Sequence, residues 1–523
     1  MSFDFGGRSL DRRAFLKVGS AAAASAAATV SGLFAKNPHS SLGSQKASSP
    51  ASRPNVLFIS VDDFRPELSC LGESVVITPN IDRLVARGTI FSRAYCSMSM
   101  CNPSRASLLT GLRTSTLNIY DQETHFRQVR PNAVTLPQLF KNNGYETVGI
   151  GKIFHNSLPD PPSWSRLEPK IPAYYEYMNP ETRAHLQARR QAASNMGRSD
   201  TFIGSYMRGP ATERFDAPDN LYRDGAIADT AVGLLRELKT KQPFFLGVGF
   251  FAPHLPFVAP KKYWDLYKRD EIPMAPNYHL PKGAPLFAMN SLTELNCHED
   301  FVAAPNPTEA LLPEAQARLL KHGYYACASF VDAQIGRLLD VLAALGLRDN
   351  TIVVLFGDSG WKLGEHGGWS KLTNYEIDTR TALVISSPGQ DRPGGRADGL
   401  VELVDIYPTV SELAGLTPAA DLEGASLVPL LSHPERPWKS AAFSRFPRGF
   451  TNRFMGRSMR TERYRFIEWR DWFDDTLVAT ELYDHQTDPQ ENTNIAGDPG
   501  NGDLVQTLSK QMLAGWRAAL PKK

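Results

Sequence analysis

Two aspartates stand side by side where an apolar run ends: Asn55 to Val61 leads directly into Asp62 and Asp63. Adjacent carboxylates repel, and removing them from water is costly unless a cation neutralises them. A second apolar run, residues 351–356, leads through Gly357 to Asp358. Should both runs be neighbouring strands, three carboxylates converge at their ends. An all-oxygen cluster of that kind suits Ca²⁺ or Mg²⁺ rather than zinc. Aspartates after strands also serve as ordinary turn and cap residues, so the pair alone defines no metal site. Further candidates occupy similar places: Lys152 and His155 after residues 145–151, His254 after residues 244–250, and Lys371 in the chain beyond Asp358. Cys101 opens the segment Cys101-Asn102-Pro103-Ser104-Arg105-Ala106-Ser107-Leu108-Leu109-Thr110-Gly111, in which Pro103 suits the first turn of a helix.

These residues need a frame. The runs 55–61, 145–151, 244–250, 351–356 and 382–386 read as strands, several of them apolar throughout, as in a parallel sheet covered on both faces. Between them the spacing predicts helices over 79–88, 135–143, 224–239 and about 313–345. In the last, Val331, Ile335, Leu338, Leu342 and Leu345 share one face, and Gly346 suits the C-cap. The alternation indicates an α/β fold with a mostly parallel sheet, whose ligands gather at the carboxyl ends of its strands. After Phe443 the character changes. Short alternating pieces such as Tyr464-Arg465-Phe466-Ile467-Glu468-Trp469 precede a helical stretch at about 503–519. This predicts a smaller antiparallel α+β subdomain. A boundary near Phe446 divides a catalytic domain, 53–445, from a C-terminal subdomain, 446–523.

The bulk composition is that of a globular protein: 523 residues, 42% hydrophobic and 21% charged. A formal net charge of +2 lacks the basic excess of a nucleic-acid binder. Five cysteines (Cys70, Cys96, Cys101, Cys297 and Cys327) are too few for a disulfide scaffold, and their odd number leaves a thiol over. The N-terminus reads as an address. Arg12-Arg13-Ala14-Phe15-Leu16-Lys17 precedes an alanine-rich stretch without acidic residues, which resembles a twin-arginine export signal over 1–35. A linker rich in Ser, Pro and Ala follows over 36–52. No later run is long enough to span a bilayer. The expectation is an exported protein, periplasmic or extracellular.

The segment from Cys101 to Gly111 fits C-x-P-S-R-x-x-x-L-T-G at every fixed position, and by it the chain resembles the sulfatases. That resemblance implies an alkaline-phosphatase-like fold and hydrolysis of sulfate esters. It implies that Cys101 is oxidised to formylglycine by a formylglycine-generating enzyme. It also implies one Ca²⁺ bound by Asp62, Asp63, Asp358, residue 101 and the residue after Asp358. Gly151-Lys152-Ile153-Phe154-His155 resembles the family's G-K-x-x-H element, and Pro253-His254-Leu255-Pro256-Phe257 its P-H-x-P-F element. By that likeness Lys152 holds the hydrated aldehyde and sulfate, and His155 takes a proton in the second step. His254 and Lys371 contact sulfate and protonate the leaving oxygen, while Arg105 holds the cluster in place.

Within the family, the stretch from Pro54 to about Leu504 is most similar to the iduronate-2-sulfatase branch, through Asp62 to Leu68, Thr78 to Asp82 and Gly357 to His366. This resemblance implies a sulfated carbohydrate substrate, a polysaccharide or its oligosaccharide fragments. Two departures stand out. Ser359 occupies a position usually held by Asn or His, and Phe251-Ala252 replaces a polar His-Lys pair. Tyr120-Asp121, followed by Arg127, resembles a loop on the substrate side. A formylglycine-dependent phosphonate or phosphodiester hydrolase, and a glycan-binding protein with weakened turnover, are the alternatives.

Overall fold

The computed structural model describes residues 53–72, 75–199, 202–204, 207–448 and 452–522. The expected export signal and linker lie outside the described residues. The central sheet is built from β1 (Asn55–Val61), β2 (Thr89–Phe91), β3 (Glu146–Gly151), β4 (Phe244–Phe250), β5 (Thr351–Gly357), β6 (Leu383–Ser386) and β7 (Gly395–Ala397). Their spatial order is β7-β2-β6-β5-β1-β4-β3. All pairings are parallel except those of β6, which runs against both β5 and β2. The fold is therefore the alkaline-phosphatase-like α/β architecture, with a mixed, mostly parallel sheet.

Both faces of the sheet are covered. In β1, Leu57, Ile59 and Val61 point into one core, while Val56 and Phe58 point into the other. This is why NVLFISV is apolar throughout rather than alternating. Helix α1 (Pro79–Val85) and α2 (Cys101–Thr110) follow the first two strands. Helices α3 (Arg223–Leu238) and α4 (Glu314–Ala344) pack on the first core through Ile227, Leu235, Val331, Ile335, Leu338 and Leu342. No helix among the described residues is long and apolar enough to cross a membrane.

Register fixes where chemistry can occur. Val61 pairs with Phe250 on one side and with Gly357 on the other. Asp62, Phe251 and Asp358 therefore leave three adjacent strands at the same edge. Gly151 pairs with Gly249, which brings Lys152 to that edge too. The approach is close: a Cβ on Gly249 would sit 2.2 Å from the carbonyl carbon of Lys152.

The C-terminal sheet is antiparallel, in the order β8 (Ala441–Arg448), β9 (Phe454–Thr461), β10 (Tyr464–Asp471), β11 (Leu477–Asp484). The anticipated boundary at Phe446 falls inside β8, so the small sheet begins at Ala441. Helix α5 (Gly502–Ala518) covers it through Leu508, against Met459, Phe466 and Leu482. The described residues form one compact unit, with Ile467, Trp469 and Tyr483 packed against Tyr375 and Met289 of the larger part. All five cysteines are unpaired thiols.

Gly249→Ala should lower the urea unfolding free energy by at least ~1–3 kcal/mol, because the new methyl meets backbone rather than a yielding side chain. Gly233→Ala, on α3 with nothing within 4 Å of its added Cβ, should instead stabilise by ~0.5–1 kcal/mol. Equal stability of Gly249→Ala and the parent would contradict this packing.

Candidate active site

The edge defined by strand register collects the candidate residues. Asp62, Asp63, Asp358 and Cys101 are buried, and each offers one ligand atom within 4.8 Å of the others. The Asp63 backbone turns into the left-handed region, φ 54°, and its N–H donates to Asp358 Oδ1 at 3.0 Å. Cys101 begins α2, which delivers it over the cluster: Sγ lies 3.5 Å from Asp62 Oδ1.

One turn later, Arg105 binds the cluster together. Its Nε donates to Asp358 Oδ2 at 2.8 Å and one terminal nitrogen to Asp62 Oδ1 at 3.0 Å. The other terminal nitrogen donates to Ser60 Oγ at 2.9 Å and to the carbonyls of Lys152 and Ile153. Two lysines complete the ring. Lys152 pairs with Asp62 and lies 3.6 Å from Sγ; Lys371 pairs with Asp63 and lies 3.1 Å from Sγ. Three aspartates thus face three basic groups around one sulfur.

The site also has the chemistry of a cation cradle. Asp63 Oδ2 is buried and accepts no hydrogen bond. Such an oxygen is costly unless a charge satisfies it. Burial, reinforced by Asp62 and Asp358, outweighs Lys371 and pushes the Asp63 carboxyl up to about 7. For Asp62, burial acts in the same sense, but Lys152, His254 and Arg105 win and hold it well below the usual range. Donor set and orphaned oxygen fit a hard divalent ion. Ser359 is brought to the same place: its hydroxyl donates to Asp63 Oδ1 at 3.2 Å.

The two histidines differ in environment. His254 follows β4 in a loop whose N–H groups at Phe251 and Ala252 are held by Asp224 at 2.9 and 2.8 Å. Its Nδ1 donates to the Leu255 carbonyl at 2.7 Å, and its Nε2 faces Glu294 at 2.9 Å and Asp63 at 3.7 Å. Burial opposes protonation of His254, yet the two carboxylates prevail and raise its pKa. His155 has the opposite setting: burial, then Lys152 and Arg105, lower it to about 3. The Cys101 thiol is pushed well above its ordinary value, by burial first and Asp62 second.

Asp62, Asp63, Cys101, Arg105, Lys152, His254, Asp358, Ser359 and Lys371 meet at this edge, while the His155 ring lies against Ser157 Oγ at 3.3 Å. Sequence reasoning missed Glu294 and Ser60. Glu294 sits in a loop whose residues carry no periodic or motif signal, so its pairing with His254 exists in three dimensions alone. Arg127 is engaged within its own loop. It forms an ion pair with Asp160 and donates to the Pro131 and Ala133 carbonyls, which makes it a loop brace. Tyr120 and Asp121 do lie beside Asn102, whose side chain donates to the Asp121 carbonyl at 3.0 Å.

Sheet, carboxylate cluster and paired lysines define a hydrolase of the alkaline-phosphatase-like fold, built to receive an anionic ester. Residues 54–416 match the Sulfatase family, and residues 364–517 match the family described as N-sulphoglucosamine sulphohydrolase, C-terminal. The chain belongs to the sulfatase family and is a sulfuric ester hydrolase. It is 32% identical to iduronate 2-sulfatase of Homo sapiens, over 89% of this chain and 96% of that protein. It is 31% identical to a sulfatase of Formosa agariphila, over 90% and 87% of the two chains. The fold is shared with phosphonate monoester hydrolase of Agrobacterium radiobacter, with a TM-score of 0.68 at 23% identity, over 89% and 96% of the two chains.

Arg105→Met removes the bridge between Asp62 and Asp358. Urea unfolding of the metal-free protein should show a loss of ~3–5 kcal/mol, the cost of stranding buried charge. A loss under ~1 kcal/mol would mean that the lysines alone neutralise the cluster.

Proposed function

We propose that this protein hydrolyses sulfate esters of a sulfated sugar, using formylglycine made from Cys101 and one Ca²⁺ held by Asp62, Asp63, Asp358, residue 101 and Ser359. The observation that carries this reading is the convergence of Lys371, Lys152 and Asp62 on Cys101 Sγ, at 3.1, 3.6 and 3.5 Å. As a thiol held protonated, Cys101 is a poor nucleophile, so the machinery around it makes sense for a modified residue. The likeness to iduronate 2-sulfatase supports a sugar as the alcohol part.

Formylglycine supplies a geminal diol, of which one oxygen attacks sulfur and the other later expels sulfate by reforming the aldehyde. Ca²⁺, when bound, draws charge from the sulfate oxygens. The chain's own residues do the rest. Lys152 and Lys371 neutralise the ester's anion from two sides. His254, with its raised pKa, gives a proton to the departing sugar oxygen. His155, kept neutral, accepts the proton released as residue 101 returns to its starting state. Two histidines whose environments push their pKa values apart divide acid from base work. Maturation by a formylglycine-generating enzyme and export through a twin-arginine signal complete the reading.

The function is tested by measuring free sulfate and free phosphate from matched sugar esters. Sulfate release is expected, and release of phosphate in preference to sulfate would overturn it. His155→Ala should cut kcat by ~10²–10⁴-fold, and its intact mass should retain one sulfo group after substrate is removed. A slow variant that stays unsulfated would remove His155 from the second step.

Cation binding should depend on pH through Asp63. Its carboxyl titrates at 3.8 when unperturbed and at about 7 in the fold. Between those values the folded, cation-free protein holds a proton that the unfolded chain lacks. That part of its stability is present below 3.8 and is lost as pH rises through about 7. The proton competes with the ion, so calorimetry should show Ca²⁺ affinity weakening as pH falls below about 7. Affinity constant from pH 5 to pH 8 would remove Asp63 from the ligand set.

A further inference from the structure

Beside the catalytic edge stands a cation that forms no ion pair among the described residues. Arg223 is the first residue of α3, and its guanidinium carbon lies 3.6 Å from the centroid of the Phe251 ring. Lys152 Nζ lies 5.9 Å from the same centroid, so one half-buried phenyl ring joins the arginine to the lysine that touches Cys101. The Arg223 side chain makes no hydrogen bond and no ion pair among the described residues, its Nε is buried without a partner, and its charge reaches Asp224 only as a lowering influence. The neighbouring Asp224 is committed elsewhere, since its two oxygens accept from the N–H groups of Phe251 and Ala252.

Other arginines around the site behave differently. Arg105 is bound to Asp358 and Asp62, Arg113 to Glu402, and Arg127 to Asp160. Each is a structural brace. Arg223 instead keeps its planar fork stacked on an aromatic face, an arrangement that orders the guanidinium while leaving donors for a planar or tetrahedral anion. A carboxylate also lies at the site. Glu294 stands against His254 there, and its carboxyl is held down to about 2: burial alone would raise it, but His254 and Lys371 prevail. The rim of the site thus carries a carboxylate at His254 and an unpaired guanidinium at Phe251.

We infer that Arg223 is a positioning residue that receives a second anionic group of the substrate, a carboxylate or a further sulfate ester, on the sugar beside the scissile sulfate. The inference rests on the sulfated-sugar reading above and narrows it to sugars with two anions. Glu294 is already paired with His254, so Arg223 is the group left to attract that second anion and to set the direction in which the sugar lies. Charge-assisted, bidentate contacts of this kind distinguish substrates by about 10- to 100-fold.

The test compares kcat/KM for sulfate release from three matched sugars: a hexose sulfate, the same sugar with C6 oxidised to a carboxylate, and the same sugar with a second sulfate ester. The parent enzyme should prefer one or both two-anion sugars, and which one identifies the anion. In Arg223→Ala the ratio of two-anion to one-anion kcat/KM should fall about 10- to 100-fold, mainly through KM. Arg223→Lys, which keeps the charge and loses the stacked plane, should fall between; it carries the test if Arg223→Ala does not fold. Normal turnover by the parent with the ratio unmoved in both variants would overturn the role of Arg223 alone. No sulfate from any sugar would overturn the function itself, and this role with it.

Discussion

Three carboxylates buried at one sheet edge repel one another, and the arrangement around Cys101 depends on neutralising them. Arg105 does so by spanning Asp62 and Asp358 while tying both to the chain at Ser60 and Lys152. Its place on α2, one turn after Cys101, means that the group which holds the cluster also fixes the nucleophilic position above it. The register of β1, β4 and β5 does the complementary work from below, because equal strand ends deliver Asp62, Phe251 and Asp358 to one plane. The glycines at 151 and 249 let a fourth strand add Lys152. Neutralisation stays incomplete at Asp63, whose buried oxygen without a partner marks the place for one more positive charge.

The frame was legible because its rules are local. Strands buried on both faces read as unbroken apolar runs, and β1 and β4 occur within the expected bounds. The long α4 shows its buried face through Val331, Ile335, Leu338 and Leu342. The site was legible in part because Cys101 to Gly111 is a contiguous pattern. What failed was non-local. Phe446 looked like a boundary, yet β8 runs straight through it, since alternation began before the aromatic pieces that drew notice. Arg127 shares its spacing with a substrate-side loop but is consumed by Asp160. Glu294 gives no signal, because its meaning is the 2.9 Å to His254 across the fold.

The site is divided by charge and by proton affinity. His254 lies between carboxylates, which raise its pKa, while burial, then nearby cations, lower that of His155 to about 3. Further charges lie close by, Glu294 against His254 and Arg223 on Phe251. Proton delivery and substrate orientation thus follow from one uneven distribution of charge around a rigid sheet edge.

The mass of the proteolytic peptide containing residue 101 tests the central claim most directly, using protein made in a host with a formylglycine-generating system. The account predicts an aldehyde or its hydrate at residue 101. An intact thiol there, with a known sulfatase converted in parallel, would contradict it and leave a sulfatase-like protein that binds sulfated glycans without turning them over.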